Sequence, residues 1–499
     1  MKLLKTLTVA ALAAASVGTA SAQTIIHVAG STAFRTGTSI AIIDTLAGTT
    51  AAGGTGAGSV FAAYSDTSIA GAGKQIFANG TLPGNSTGAG GAATIIIEAT
   101  WTGSLAGVVD LTAGASAAAF LDETNSTIQT AVNSGAVNTT TDLGGTMLAA
   151  SPATHSGTVE LALSDSNKAT IAKELANANQ TGTIGSFSPV SGLATALATA
   201  CGGSTVVDAG TTGFAKDVGV VAVVPFEWVL GFITTPSYTA PTNISQQTAR
   251  QLLTSGFVQQ ALFTGGNTTA DLQNYFYLEG RNEDSGTRIG ALSESQFGVT
   301  ANPVQFQVGD DASTLSPALP FPAGTPLNTE PLINWSNAGH SGYASGGNVA
   351  AALEIANNGS TVTFSSGKPT KNTGASYFLG YLGVTDATKA TTGNNHATVL
   401  TYNGVAYSPG AVQNGSYTFW TYEHAYRLSS VSGTTLTTVN AIADNLYFTD
   451  ADATYSTSTG VGHAEQLDGT YVTGSAGLFV DGFLNVSRST TEGGPVKHN

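Results

Sequence analysis

Short continuous apolar runs and helix-spaced apolar positions alternate along this 499-residue chain. Thr24–Val28 reads as a short buried strand, followed by Ala29-Gly30-Ser31-Thr32-Ala33-Phe34-Arg35 and a helical apolar pattern from Ser39 to Leu46. Thr94–Thr100, carrying Ile95, Ile96 and Ile97, predicts a second strand, which leads through Trp101-Thr102-Gly103-Ser104 into a helix. Thr158–Leu163 predicts a third strand running into Ser164-Asp165-Ser166. Val218–Leu230 is the strongest strand signal, because a near-continuous apolar run fits a strand buried on both faces. Ser245 stands as an N-cap before helical patterns over Thr248–Leu253 and Val258–Phe263. Gly346-Gly347-Asn348 leads into a helix over Val349–Ala356, and Ser376–Val384 returns as a strand. Strands alternating with helices predict an α/β protein.

Two Gly/Ala/Thr-rich stretches interrupt this rhythm, Ala47 to Gly90 and Ala115 to Ser156, and both read as insertions. The 62 glycines do not make the chain a disordered polymer, because 41% of its residues are hydrophobic. Its length predicts more than one structural unit.

The N-terminus changes the picture of where the chain works. Lys2 and Lys5, an apolar stretch from Leu7 to Val17, and Ala20-Ser21-Ala22 predict a signal peptide cleaved after Ala22. Gln23 follows the predicted cut rather than cysteine, so no lipid anchor is expected, and no later apolar run is long enough to insert in a membrane. The expected compartment is the periplasm or the medium. Losing Lys2 and Lys5 takes the formal charge from −15 to −17. That charge argues against nucleic acid and anionic membranes as partners. Cys201 is the only cysteine, so no intramolecular disulfide forms, and a single buried thiol is expected.

The densest chemistry lies in Tyr277–Arg288, where Arg281, Glu283, Ser285, Gly286 and Thr287 fall close together. An arginine fork, two hydroxyls and a glycine suit a small oxyanion, especially if Ser285-Gly286-Thr287 opens a helix. The same residues suit a polar turn capped by Ser285. Taken alone, the segment does not decide between the two.

Strand–Gly-Ser-Thr–helix, strand–Gly-Ser–helix, strand–Ser-Asp and Arg-x-acid-x-Ser-Gly-Thr occur here in an order that resembles phosphate-binding periplasmic proteins, the solute receptors of phosphate ABC transporters. Ile244–Gly265, Tyr377-Phe378-Leu379-Gly380-Tyr381 and Tyr402 to Phe419 resemble later family segments, the last preceding an edge strand. The resemblance covers most of Thr24 to Arg427. It implies a two-lobed type II periplasmic-binding-protein fold with two crossover strands and the ligand between the lobes. Carried onto this chain, lobe 1 is 23–217 plus 376–499 and lobe 2 is 218–375. It implies phosphate binding by Ser31, Thr32, Ser104, Asp165, Arg281, Glu283, Ser285, Gly286 and Thr287, with no cofactor, no metal and no catalysis. Ser31 and Thr32 are expected to use hydroxyl and backbone N–H groups at the first helix start. Asp165 is expected to accept the proton of monohydrogen phosphate, which sulfate lacks. The implied partner is an ABC transporter permease. The chain departs from the family at Glu283, where aspartate is usual, at Asp284, where glycine is usual, and at Ala33, where phenylalanine is common.

Other chemistry finds little footing. Gly84-Asn85-Ser86-Thr87-Gly88 lacks the preceding strand of a nucleophile elbow, and Ala72-Gly73-Lys74-Gln75 lacks both ends of a phosphate loop. The seven histidines show no metal spacing, and Asp450-Ala451-Asp452 lacks the rest of a calcium loop. Against the receptor stand two alternatives: a structural or adhesive surface protein that keeps the fold without binding phosphate, and a secreted phosphohydrolase. The insertions, low charge and long tail fit the former.

Overall fold

The computed structural model describes residues 23–47, 60–65, 75–82, 93–113, 118–137, 145–148, 152–175, 199, 203–211, 219–233, 240–308, 314–317, 342–354, 363–364, 374–392, 396–447, 486–488 and 492–498. The expected signal peptide, Cys201, Gly84–Gly88 and Asp450–Asp452 lie outside them. No described helix is long and apolar enough to cross a membrane.

The elements that build the site are numbered in chain order. The strands are β1 (Thr24–Gly30), β2 (Phe61–Ser65), β3 (Gln75–Leu82), β4 (Ala93–Thr100), β5 (Val159–Ser164), β6 (Val220–Leu230), β7 (Phe257–Gln259), β8 (Tyr275–Glu279), β9 (Ser376–Gly383) and β10 (Trp420–Leu428). The helices are α1 (Arg35–Ala47), α2 (Ser104–Ala113), α3 (Lys168–Leu175), α4 (Gln246–Ser255), α5 (Gly286–Glu294), α6 (Gly346–Leu353), α7 (Val384–Thr392) and α8 (Gly433–Tyr447).

All ten strands join one fourteen-stranded mixed sheet, in the order β7-β8-β9-β6-β10-β5-β1-β4-β3-β2, with Thr146–Leu148 beyond β2. The protein is therefore of the predicted α/β class. The central strand β6 is buried along its whole length, as its apolar run requires. It changes partner midway: Val220 to Pro225 pair with β10, and Phe226 to Leu230 pair with β9. Thus β6 runs from one half of the sheet into the other, and the chain returns to the first half at the start of β10.

Strand direction fixes where chemistry can gather. β4 and β5 run parallel to β1, and β8 runs parallel to β9. The antiparallel steps β5–β10, β10–β6 and β6–β9 reverse direction three times between the two groups. The C-terminal ends of β1, β4 and β5 therefore point toward those of β8 and β9. In open α/β sheets, ligand sites form at such carboxyl edges.

The first insertion holds a hairpin that extends the main sheet, with β3 antiparallel to β4 and β2 antiparallel to β3. Val258–Gln259 is not helical: these residues belong to β7, paired with β8, and only Ala261–Thr264 forms a short helix. Gly256, at φ 76°, ends α4 and starts the strand, a left-handed cap conformation that favours glycine. The strand after Tyr402–Phe419 is not at an edge, since β10 lies between β6 and β5. Ser376–Gly383, expected with the first lobe, is hydrogen-bonded between β6 and β8.

Candidate functional site

The turns after β1, β4 and β5 are knitted into one surface. Ser31 N–H donates to the Leu163 carbonyl (2.9 Å), and Gly103 N–H donates to the Gly30 carbonyl (2.9 Å). This places Ser31 and Thr32 after β1, Ser104 at the first residue of α2, and Asp165 immediately after β5. Ser31 differs from expectation. Helix α1 begins at Arg35, four residues later, so the Ser31 N–H serves the neighbouring strand turn rather than a helix terminus.

On the opposite side, β8 delivers Arg281, and Ser285 caps α5 by accepting from Arg288 N–H (3.3 Å). Arg281 is buried and held from several directions. Its Nε donates to the Tyr343 carbonyl (3.2 Å), and its Nη2 donates to the Ala344 carbonyl (3.2 Å) and to Thr32 Oγ1 (3.3 Å). Its backbone N–H donates to the Tyr381 hydroxyl (3.2 Å). Its carbonyl accepts from Arg288 Nη1 (3.2 Å) and Gln305 Nε2 (3.0 Å). A guanidinium clamped in this way presents its fork with little conformational freedom left to lose.

The two sides meet at Asp165, which is 1% exposed. Ser104 Oγ donates to Oδ1, and Thr287 Oγ1 donates to Oδ2 at 3.4 Å. A Cβ on Gly286 would run into Asp165 Oδ1 and Ser104 Oγ, so a side chain at this helix start would displace both. Gly103 has φ 106°, and a Cβ there would lie 2.6 Å from the Asp284 carbonyl. That carbonyl also accepts Leu105 N–H (3.1 Å) at the start of α2. Asp284 thus closes the contact between the two sides through its backbone, which any residue type supplies.

Burial pushes the Asp165 carboxyl above its usual range, against the Ser104 hydrogen bond, Arg281 and the Thr287 hydroxyl. Burial likewise pulls Arg281 down, opposed first by Asp386 and then by Asp165. Glu423, fully buried on β10, is raised well above the ordinary range by burial first and by Asp165 second. Neither of its oxygens has a hydrogen-bond partner of normal geometry. The buried Ser31 hydroxyl lies near enough to favour its charged form, yet makes no such bond either.

The structure therefore gathers Thr32, Ser104, Asp165, Arg281, Gly286 and Thr287 by direct contact, with Ser285 as the cap and Ser31 beside Glu423. Glu283 is buried, and its charge is felt by Tyr381, whereas Asp386, Asp165 and Asp284 are the acids acting on Arg281. Sequence reasoning missed Glu423, Asp386, Tyr381 and Gln305. The first stands in a run of aromatic strand residues, and the others lie far along the chain from Arg281. A carboxyl inside the aromatic-rich Trp420–Tyr426 strand was the available signal for Glu423.

The C-terminal residues also reach the site. Glu492 accepts from Asn167 N–H and Thr170 Oγ1, next to Asp165. Gly493 N–H donates to Glu294 Oε1 (3.2 Å) at the end of α5, where Arg488 ion-pairs with Glu294 and lies over the Trp420 ring (3.7 Å). The tail thereby straps α3 to α5.

No protein-family model matches the sequence, and no curated protein matches it. Among solved structures, the chain is similar to a protein from Clostridium perfringens assigned as a phosphate ABC transporter substrate-binding protein, solved with bound phosphate. The match has 10% identity and a TM-score of 0.36, covering 84% of this chain and 92% of that one. It is also similar to PstS from Borrelia burgdorferi (11% identity, TM-score 0.29, covering 84% and 92%) and to an ABC-type phosphate transport receptor from Vibrio cholerae (9% identity, TM-score 0.26, covering 48% and 72%). At such low identities and TM-scores, these likenesses leave function to be read from the geometry of the site itself.

Proposed function

We propose that the chain is an exported, non-enzymatic solute receptor that closes two lobes over inorganic phosphate or a related small oxyanion, for delivery to an ABC transporter permease. The observation that carries this reading is the convergence on Asp165. Four turns from distant parts of the sequence place a clamped guanidinium, hydroxyl donors and a glycine-opened helix start around one buried acceptor. Donors of this kind bind an anion strongly once water is excluded. A fixed carboxyl among them selects a protonated oxyanion, because an anion without a proton leaves it unpaired or repelled. The proposed lobes divide where β6 changes partner. The first comprises 23–225 and 420–499, and the second comprises 226–419, so closure is a hinge at Pro225–Phe226 and Phe419–Trp420.

Isothermal titration of the mature protein with phosphate tests this reading. Saturable binding that Arg281→Ala weakens at least about tenfold supports it, since a lost charge-assisted contact in a buried site costs about 2–5 kcal/mol. Absence of phosphate heat, or indifference to Arg281→Ala, overturns it. A second reading is favoured by the tail strap: a surface protein that keeps the fold without exchanging ligand. Glu492 and Gly493 tie α3 to α5 and oppose opening, and this reading gains if phosphate does not bind.

A further inference from the structure

Away from the Asp165 site, the sheet carries a second cluster of buried chemistry. His27 on β1 and Glu98 on β4 are register partners on adjacent parallel strands. His155 comes from the short strand Thr154–Ser156, which pairs with Ala119–Leu121, and Glu123 follows that pair. His155 Nε2 lies 2.7 Å from Glu98 Oε2 and 3.1 Å from Glu123 Oε2, and His27 Nε2 lies 3.4 Å from Glu98 Oε2. One ligand atom each from His27, Glu98 and His155 falls within a span of 4.8 Å. We propose that His27, Glu98, His155 and Glu123 form a binding site for a divalent transition-metal ion of the zinc type.

Three observations carry this proposal. The ligand atoms lie close to the spacing an ion imposes, roughly 3.3–3.5 Å between four tetrahedral ligands about 2.0–2.2 Å from it. His27–Glu98 matches at 3.4 Å, and His155, now at hydrogen-bond distance from Glu98 (2.7 Å) and Glu123 (3.1 Å), would move outward on binding. The His27 ring is also set for coordination. Its Nδ1 faces the Thr158 carbonyl at 2.9 Å, with Glu160 Oε2 at 3.4 Å. Nδ1 is thereby turned to the carbonyl as a donor, which leaves Nε2 as the ring nitrogen facing Glu98. Glu160 is itself anchored by His27 N–H at 2.7 Å. Finally, His27 Nε2, Glu98 Oε1 and Glu123 Oε2 are buried without a hydrogen-bond partner. Among the described residues, the ion-pair partners of Glu98, Glu123 and Glu160 are histidines only. With no lysine or arginine beside them, these carboxylates draw positive charge either from a protonated histidine or from a bound divalent ion.

Two imidazoles with carboxylates suit zinc and its transition-metal neighbours over magnesium or calcium, which prefer oxygen alone. His155 and Glu123 are partly exposed, with side-chain exposures of 27% and 22%, so an ion has a way in. The site also gives the second insertion a purpose. An ion there would pin the 119–156 segment to β1 and β4, about 13 Å along β1 from Ser31 at the usual strand rise. The spacing of histidines along the sequence hides it, because the ligands come from three separate segments.

The test uses the mature protein, stripped with a chelator and titrated with Zn2+ alone, followed by Co2+ for its visible ligand-field bands. The expected result is one ion per chain, tetrahedral Co2+ absorption, and a rise in Tm on Zn2+ addition. His155→Ala, at a partly exposed position, and Glu98→Gln should each weaken Zn2+ binding by at least about 10–100-fold, with circular dichroism confirming the fold. Failure to bind Zn2+, or equal affinity in His155→Ala and Glu98→Gln, overturns the proposal, the second outcome assigning the ion to other histidines.

Discussion

Asp165 and Glu98 are both buried acids, and they stand near the ends of the two strands that flank β1. Their surroundings nevertheless point to opposite chemistries. Asp165, at the carboxyl edge of β5, meets hydroxyl donors and the Arg281 field, and α5 opens against it. Glu98, within β4, meets two imidazoles and has an oxygen with no donor at all. A carboxyl ringed by donors, with a guanidinium held nearby, is arranged to share an anion's proton. A carboxyl ringed by lone-pair ligands is arranged to share a cation. Desolvation is common to both, and the identity of the neighbours decides which ligand reverses its cost.

If the two clusters are independent, their variants must separate cleanly. The largest effect is expected for Arg281→Ala, which should cost phosphate binding about 2–5 kcal/mol and leave the Zn2+ isotherm unchanged. Glu98→Gln should do the reverse. Loss of both ligands in either variant would mean that the clusters are one cooperative unit and would break the contrast.

Buried acids with neither an arginine nor a histidine beside them supply the control. Burial raises Asp110 to about 7, against a Thr102 hydrogen bond, and raises Glu227 to about 7 unopposed. For a carboxyl whose pKa is higher in the folded state, the folded form binds more protons between the unfolded value near 4 and the folded value. Stability is therefore full below about pH 4 and is lost as pH rises toward 7, by about 1–3 kcal/mol for each group. Thermal melts from pH 5 to 8 should show Tm falling, and Glu227→Gln should flatten the decline. A Tm that rises over this range would show that these carboxyls are charged and paired.

Asp165→Asn sharpens the comparison on the selectivity axis. An amide still fills the space but donates from one side, so it no longer discriminates against an unprotonated oxyanion. Phosphate affinity is expected to fall by about 1–2 kcal/mol while sulfate affinity rises, measured by competition titration. An unchanged phosphate-to-sulfate ratio would remove Asp165 from the selectivity role.

How much of this was legible in the sequence follows from how local each signal is. The strand–turn–helix units at Ser31, Ser104 and Asp165 could be read because β1, β4 and β5 are buried apolar runs that end in polar turns. Val220–Leu230 was legible for the same reason, whereas its change of partner at Phe226 was not, since pairing is a property of two strands. Ser285 was open between cap and anion donor, and it forms the cap while sitting beside the donors. Glu423 and His27 were illegible in role. Each is a polar residue within a buried strand, and its meaning comes from partners far along the chain, such as Thr158 for His27 and Asp165 for Glu423.

Glu423 gives the finest test, because the expected change is small. Burial and the nearby Asp165 hold its carboxyl well above the ordinary range, which favours the uncharged acid. An uncharged acid offers an O–H, which makes it a donor toward an anion instead of a repelling charge. Glu423→Gln replaces one neutral donor by another of similar shape. Phosphate affinity should then change by less than about threefold, or roughly 0.6 kcal/mol. If Glu423 were ionised, the same substitution would remove a negative charge from beside an anion site and strengthen binding at least about tenfold. A Glu423→Gln titration at pH 7 therefore decides whether the two neighbouring acids share the site as acceptor and donor, which is what distinguishes this pair from the histidine-bound Glu98.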